Sequence, residues 1–405
     1  MTAILEINDT ELVLHRHGQR LYRAPAIAIA QPGGLVFGEA ALRQARIYPR
    51  QTNQQYLSRL APDPLPHPTR DAANFADLVY HQLKEVAATC SDDVVLAVPG
   101  TLTAEQLGIL LGISQEAGLT VSGFVDAAVA AVSTCPAPDP VCYLDLHLQH
   151  INVTELSVSA EVQRTRAYEV RECGLSNLLD SWVNLIADRF VRETRFDPLV
   201  TADTEQQLYN QVYDWVSGVH NTDIAVEILH AEQRRRVEVP RVALELKATQ
   251  RYARLLEALN GSMAVLLSGR ASGMPGLLGC LRSAGLSVDM VARDAVAEGC
   301  TRHLDQIHCG GGDLHLITRL PHAHRRPIAT PIADLRPTHL LHEHRARSID
   351  QCRDLPVRME NNTLWLRPAP DVSVNGVAIR EEVRIQLGDV IDTSGGSYRA
   401  IRVDA

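Results

Sequence analysis

The stretch DDVVLAVPGTLTAEQLGILLGISQEAG, Asp92 to Gly118, constrains the fold of this chain more than any other. Its first half is a short buried strand stopped by Pro99-Gly100. Thr103 is placed to cap the helix that follows, and Gln106 three residues on completes a capping box. Leu107, Leu110 and Leu111 share one face, and Gly118 suits a C-cap. A strand that runs straight into a helix is the building unit of α/β folds.

The same reading extends along the chain. Short strands are expected in TAILEIN, ELVLHRH, QRLYRA, AIAIA and GLVFG, broken by turn residues such as Asn8-Asp9. Helices are expected over 38–48 and 71–89, in DAAVAAVST, over most of 175–216, and over 238–260. VCYLDLHLQHINVTEL reads as a β-hairpin, although His147, Leu148, Gln149 and His150 stand where a tight turn usually carries Gly, Asn or Asp. MAVLLSG is a buried strand that runs into the turn RASGMPG and a helix. From about 308 to 337 a Gly-, Pro-, His- and Arg-rich texture reads as linker, and 338–405 as a small all-β sandwich module.

Length and charge narrow the function classes. At 405 residues the chain has room for two or three domains. Its net charge of −9 opposes nucleic-acid binding, which needs a positive footprint. The eight cysteines form no CxxC pair, as expected of reduced thiols in a cytoplasmic protein. No run approaches the ~20 apolar residues of a membrane span. Histidines crowd the last third, but their spacing fits no standard finger, and no metal is expected there.

Several of these pieces, in order, resemble the ATPase domain of the heat-shock protein 70 family in the actin-like superfamily. The matching pieces are VVLAVPGTLTAEQLGILLGISQEAGLTVSGFVDAAVAAV, YEVRECGLSNLLDSWVNLIADRF, MAVLLSGRASGMPGLLGCLRSAG and RDAVAEGCTRHL. The resemblance implies a two-lobed α/β fold over 1–307, with one lobe over about 1–142 and the other over about 143–307. It also implies a nucleotide between the lobes, with Gly174 before a helix that carries a buried Asp180.

Against that family pattern the phosphate-holding turns are altered. In LEINDTEL, Glu6 and Asn8 replace the expected aspartate and glycine, and Thr10 is kept. In DLHLQH, Asp145 is kept, while His147 to His150 replace the glycines whose bare backbone lets N–H groups converge on phosphate. The family's catalytic lysine has no counterpart, since Lys84 falls on a helix and Arg59 is no substitute for a compact ammonium. Asp126 matches a metal-side carboxylate, although capping a helix accounts for it equally well. Gly269, Ser272, Gly273, Met274 and Pro275 match the adenosine turn, and packing alone would also call for such a turn.

The resemblance therefore implies a chaperone-like pseudo-ATPase that works through protein partners, with no resident cofactor. An active ATPase that binds Mg-ATP or Mg-ADP through Thr10, Asp126 and Asp145 is the alternative. VSVNGVAIREEVRIQLGDVIDTSGGSYRAIRV resembles the second half of a forkhead-associated module, without that family's phosphothreonine signature.

Overall fold

The computed structural model describes residues 2–31, 33–218, 222–259, 264–309, 314–323, 337–352, 355–360, 363–375, 377–379 and 381–403. The chain is mixed α/β and divides into two compact units, Met1–Arg325 and Arg326–Ala405.

The first unit is built on two six-stranded sheets, in each of which five strands follow one shared order. In the first sheet β1 (Thr2–Glu6), β2 (Leu12–Arg16) and β3 (Gln19–Ala24) form an antiparallel meander. On its other side β1 pairs in parallel with β4 (Asp93–Val98), which pairs in parallel with β5 (Thr120–Asp126). The second sheet repeats this with the meander β6 (Val141–Leu146), β7 (His150–Val158) and β8 (Glu161–Arg171), and with parallel strands β9 (Ala264–Leu267) and β10 (Val288–Met290) beside β6. Parallel neighbours need crossover connections, and helices supply them.

Besides the short helices Gly38–Leu42 and Leu304–Ile307, the described helices are α1 (Phe75–Ala87), α2 (Ala104–Glu116), α3 (Ala127–Ser133), α4 (Leu175–Thr194), α5 (Ala202–Ser217), α6 (Arg241–Leu259), α7 (Gly269–Ser272), α8 (Leu277–Ser283) and α9 (Ala295–Arg302). The expected capping box of α2 forms: Gln106 N donates to Thr103 Oγ1 at 3.2 Å, and Thr103 N to Gln106 Oε1 at 3.0 Å. A core of α3, α9 and the facing strands joins the two sheets, with Ala127, Ala128, Ala130 and Ala131 against Val95, Val125, Tyr143 and Leu266. Small side chains are needed here because α3 and α9 touch backbone to backbone. A Cβ on Gly299 would fall 1.9 Å from the carbonyl oxygen of Ala130.

Four features depart from the sequence reading. The long strand β8 and the hairpin Ile224–His230 with Gln233–Val239 were not expected in full, and α6 begins only at Arg241. Within the 308–337 stretch read as linker, Leu316–Ile317 adds a parallel strand beside β5 and Arg319–Pro321 an antiparallel one beside β8. That segment therefore straps the two sheets together, and 324–336 lies outside the described residues. Among the described residues, no helix is long and apolar enough to cross a membrane.

The second unit pairs a six-stranded with a three-stranded sheet over a core of Leu340, Leu364, Leu366, Val374, Ile391 and Tyr398. Its expected turn at Asn375 is real. Asn375, at φ 52°, donates from Nδ2 to Asp389 at 2.9 Å and accepts from Val390 N at 2.9 Å. Gly376 and the Asn361-Asn362 turn lie outside the described residues.

Candidate functional site

The turn after β1 is organised by Asn8. Its Oδ1 accepts from Thr10 N at 2.8 Å and Thr10 Oγ1 at 2.6 Å, the Asx arrangement by which a short amide side chain replaces a backbone turn. That leaves Nδ2 to donate across to the second sheet, to Asp145 Oδ2 at 2.9 Å and the carbonyl of Leu146 at 3.1 Å. Asp9 makes the second crossing. Its Oδ1 accepts from Leu148 N at 2.8 Å and lies 3.0 Å from His147 Nδ1. The turn of one sheet is thus bonded directly to the turn of the other.

The turn after β6 is braced from behind as well. Leu175 N donates to the carbonyl of His147 at 2.9 Å, and Ser176 N to that of Leu148 at 2.8 Å. These are first-turn donors of α4, the kind that anions use at a helix N-terminus. Here the turn itself consumes them. Gly174 is obligatory because a Cβ there would lie 2.3 Å from His150 N. Bulky residues can therefore make this turn: Asp9 and α4 hold it from both sides.

Behind the turns, each carboxylate meets an arginine. Arg270, at the start of α7, has only 8% of its side chain exposed, and its Nη1 lies 2.7 Å from Glu6 Oε1 and 3.5 Å from Asp145 Oδ1. Burial disfavours its charge, yet Glu6, Asp145 and Glu11 hold the guanidinium firmly protonated. Glu11 also meets Arg23 and Arg293, the latter at 3.1 Å. Burial would raise its carboxyl, but Arg270 first, then Arg23 and Arg293, hold it below the ordinary range. Asp126 is fully buried, caps α3 by accepting from Ala128 N at 2.9 Å, and pairs with Arg164 Nη1 at 2.9 Å. Burial still pushes its carboxyl up against the pull of Arg164.

A cleft of about 390 Å³ adjoins this network. Thr10, Gly269, Ser272, Gly273, Met274 and Pro275 line it, together with Tyr213, Trp215, Arg23, Arg270 and Arg293. The structure thus gathers six of the expected site residues around one cleft, while Asp126 and Asp145 stand apart, each committed to protein partners. Asp180 is corrected: it is half-exposed and pairs with Arg46 rather than being buried. Lys84 faces the Tyr80 ring and Arg59 is exposed. The described histidines of the last third do not converge: His308 lies 3.9 Å from Asp93, and His324 is outside the described residues. His322 bonds the Cys135 carbonyl, and His342 stacks on Tyr398. Among the described residues no cluster of His, Cys, Asp or Glu is arranged to hold a metal.

Arg270, Arg164 and Asp9 are the working residues that sequence reasoning overlooked. Arg270 had a signal, a charge immediately after a buried strand in SGRASG. Arg164, on a polar strand, had none. Fold and site together define a mixed α/β protein whose central turns and charges are closed upon each other. The chain matches no protein-family model and no curated protein sequence.

Proposed function

We propose that the first unit is a two-lobed, actin-like domain related to the heat-shock protein 70 ATPases, with an eroded nucleotide site. On this reading the chain is a chaperone-like cytoplasmic protein that acts through protein–protein contacts, as a scaffold or regulatory pseudo-ATPase. The fold assignment is supported by the five-strand order common to both sheets and by the pair of small-residue helices between them. The observation that carries the functional reading is the direct bonding of the two turns through Asn8 and Asp9. A phosphate chain would need the donors of those turns and of the first turn of α4, and these are spent: Thr10 N on Asn8, Leu148 N on Asp9, and Leu175 N and Ser176 N on the carbonyls of His147 and Leu148.

An active Mg-ATP-binding ATPase is the second reading, favoured by the cleft beside Gly269 to Pro275 with its aromatic wall of Tyr213 and Trp215. The two separate in a turnover assay. Protein stripped of co-purified nucleotide is expected to release phosphate from Mg-ATP no faster than buffer alone. Sustained release that disappears in Asp145→Ala would replace the first reading with the second.

A further inference from the structure

Most of the buried polar groups at the turns are accounted for as fixed bonds, but the histidine pair between them is not. His147 and His150 stack with ring centroids 4.7 Å apart and planes 9° from parallel. They stand beside a cavity of about 50 Å³ that Ser58, Thr101, Gln106 and Glu169 also line. A space of that size admits a few waters. Two buried acceptors at this cluster, Asp9 Oδ2 and Asn152 Oδ1, have no partner. Unsatisfied buried oxygens are costly, so they mark a place where a proton or water is wanted.

We infer that Asp9 and His147 form a proton-operated latch, closing the turn of the first sheet onto the turn of the second. The closed state has an imidazolium at His147. Its Nδ1–H donates to Asp9, 3.0 Å away. Nε2 lies 2.9 Å from Asn152 Nδ2 and 3.3 Å from Asn8 Nδ2, whose hydrogens go to Asp145 and the Leu146 carbonyl. The closed state turns the Asn152 amide over, so that its otherwise unpartnered Oδ1 meets Nε2–H. Asp9 is shared with Leu148 N, so weakening its hold on His147 loosens the backbone of the second turn.

The carboxylates facing His147 favour its charge, and Arg270 opposes it. Asp9 comes from the turn after β1, Asp145 lies 4.0 Å from Nε2 on β6, and Arg270 approaches from α7. His150 stacks from β7, with Glu169 3.9 Å from its Nε2 and Arg171 beyond. Burial works against a charge on His147, but Asp9 and then Asp145 overcome it and hold the ring above the ordinary histidine value of 6.5. Burial and the neighbouring His147 instead push His150 down to about 4.

The two shifts work from opposite sides. The hold supplied by His147 is complete below pH 6.5 and is lost as pH rises through its folded value. A neutral His150 supports the fold above pH 6.5, and that support drains away as pH falls toward about 4. The latch is therefore tightest near pH 6.5 and opens on the alkaline side.

Histidine ring resonances of the full chain, followed by NMR against pH, test this together with the hydrogen-exchange protection of the Leu148 amide, corrected for intrinsic exchange. The expected result is titration of His147 above 6.5. Leu148 protection should fall about tenfold for each pH unit between 6.5 and that midpoint. His147→Gln should abolish the step while leaving protection elsewhere in the second sheet unchanged. A His147 ring that stays neutral from pH 5 to 9, or Leu148 protection that ignores its titration, overturns the latch. Should the variant fail to fold, the unmodified protein still decides through those two readouts.

Discussion

Arg270→Met is expected to lower the stability of the first unit by about 3–5 kcal/mol at neutral pH. The size follows from what the substitution leaves behind. Glu6, Glu11 and Asp145 face this one guanidinium with at most 10% of each side chain exposed. Once it is gone, Glu11 keeps Arg23 and Arg293, but Glu6 loses its close cation. A buried carboxylate without a counter-ion takes up a proton instead. Burial already holds the Glu6 carboxyl above its ordinary value with Arg270 in place, and loss of that guanidinium raises it further. The added destabilisation is full at neutral pH and shrinks as pH falls through that raised value. Chemical unfolding at pH 7 and pH 5 should therefore show a markedly smaller gap between variant and parent at the lower pH. Arg270→Lys should recover only part of the loss, because a single ammonium cannot serve three carboxylates as the planar fork does.

Arg164→Leu should cost about 3 kcal/mol by the same logic, through a different carboxylate. Asp126 is fully buried and Arg164 pairs with it at 2.9 Å. Burial already pushes the Asp126 carboxyl up, so the deficit is again greatest at neutral pH and eases on acidification. A compensating change is available. Asn at position 126 keeps the oxygen that caps Ala128 and Val129 while removing the charge. The double variant Asp126→Asn, Arg164→Leu should regain most of the loss. A double variant as unstable as Arg164→Leu alone would show that packing of the arginine, and not its charge, holds this site.

Much of the fold was legible because it rests on local signals. The α2 capping box, the Pro99-Gly100 stop, the alanine-rich α3 and the five N-terminal strands all declare themselves within a few residues. What was hidden depended on distant pairing. β8 alternates apolar and charged residues so loosely that its burial is decided by β7 and the strap, not by its own pattern. The strap looked like linker because its residues form strands only against edges that 150 or more residues of chain had already built.

The site divided in the same way. The wall from Gly269 to Pro275 follows from a strand, a turn and a helix adjacent in sequence. The pairing of Arg270 with Glu6, and of Asp9 with His147, joins residues more than 130 positions apart. No window of sequence contains both partners. The bulky turn at His147 looked like damage to a phosphate loop, whereas in the folded chain those side chains are what closes it.

Closure of the central turns by the protein's own groups is the claim on which the account stands, and calorimetric titration of nucleotide-stripped protein with Mg-ADP and Mg-ATP tests it most directly. The account predicts no binding, or binding no tighter than about millimolar, roughly −4 kcal/mol. Micromolar binding of either nucleotide, near −8 kcal/mol, would mean that the turns part to admit phosphate, and would contradict it.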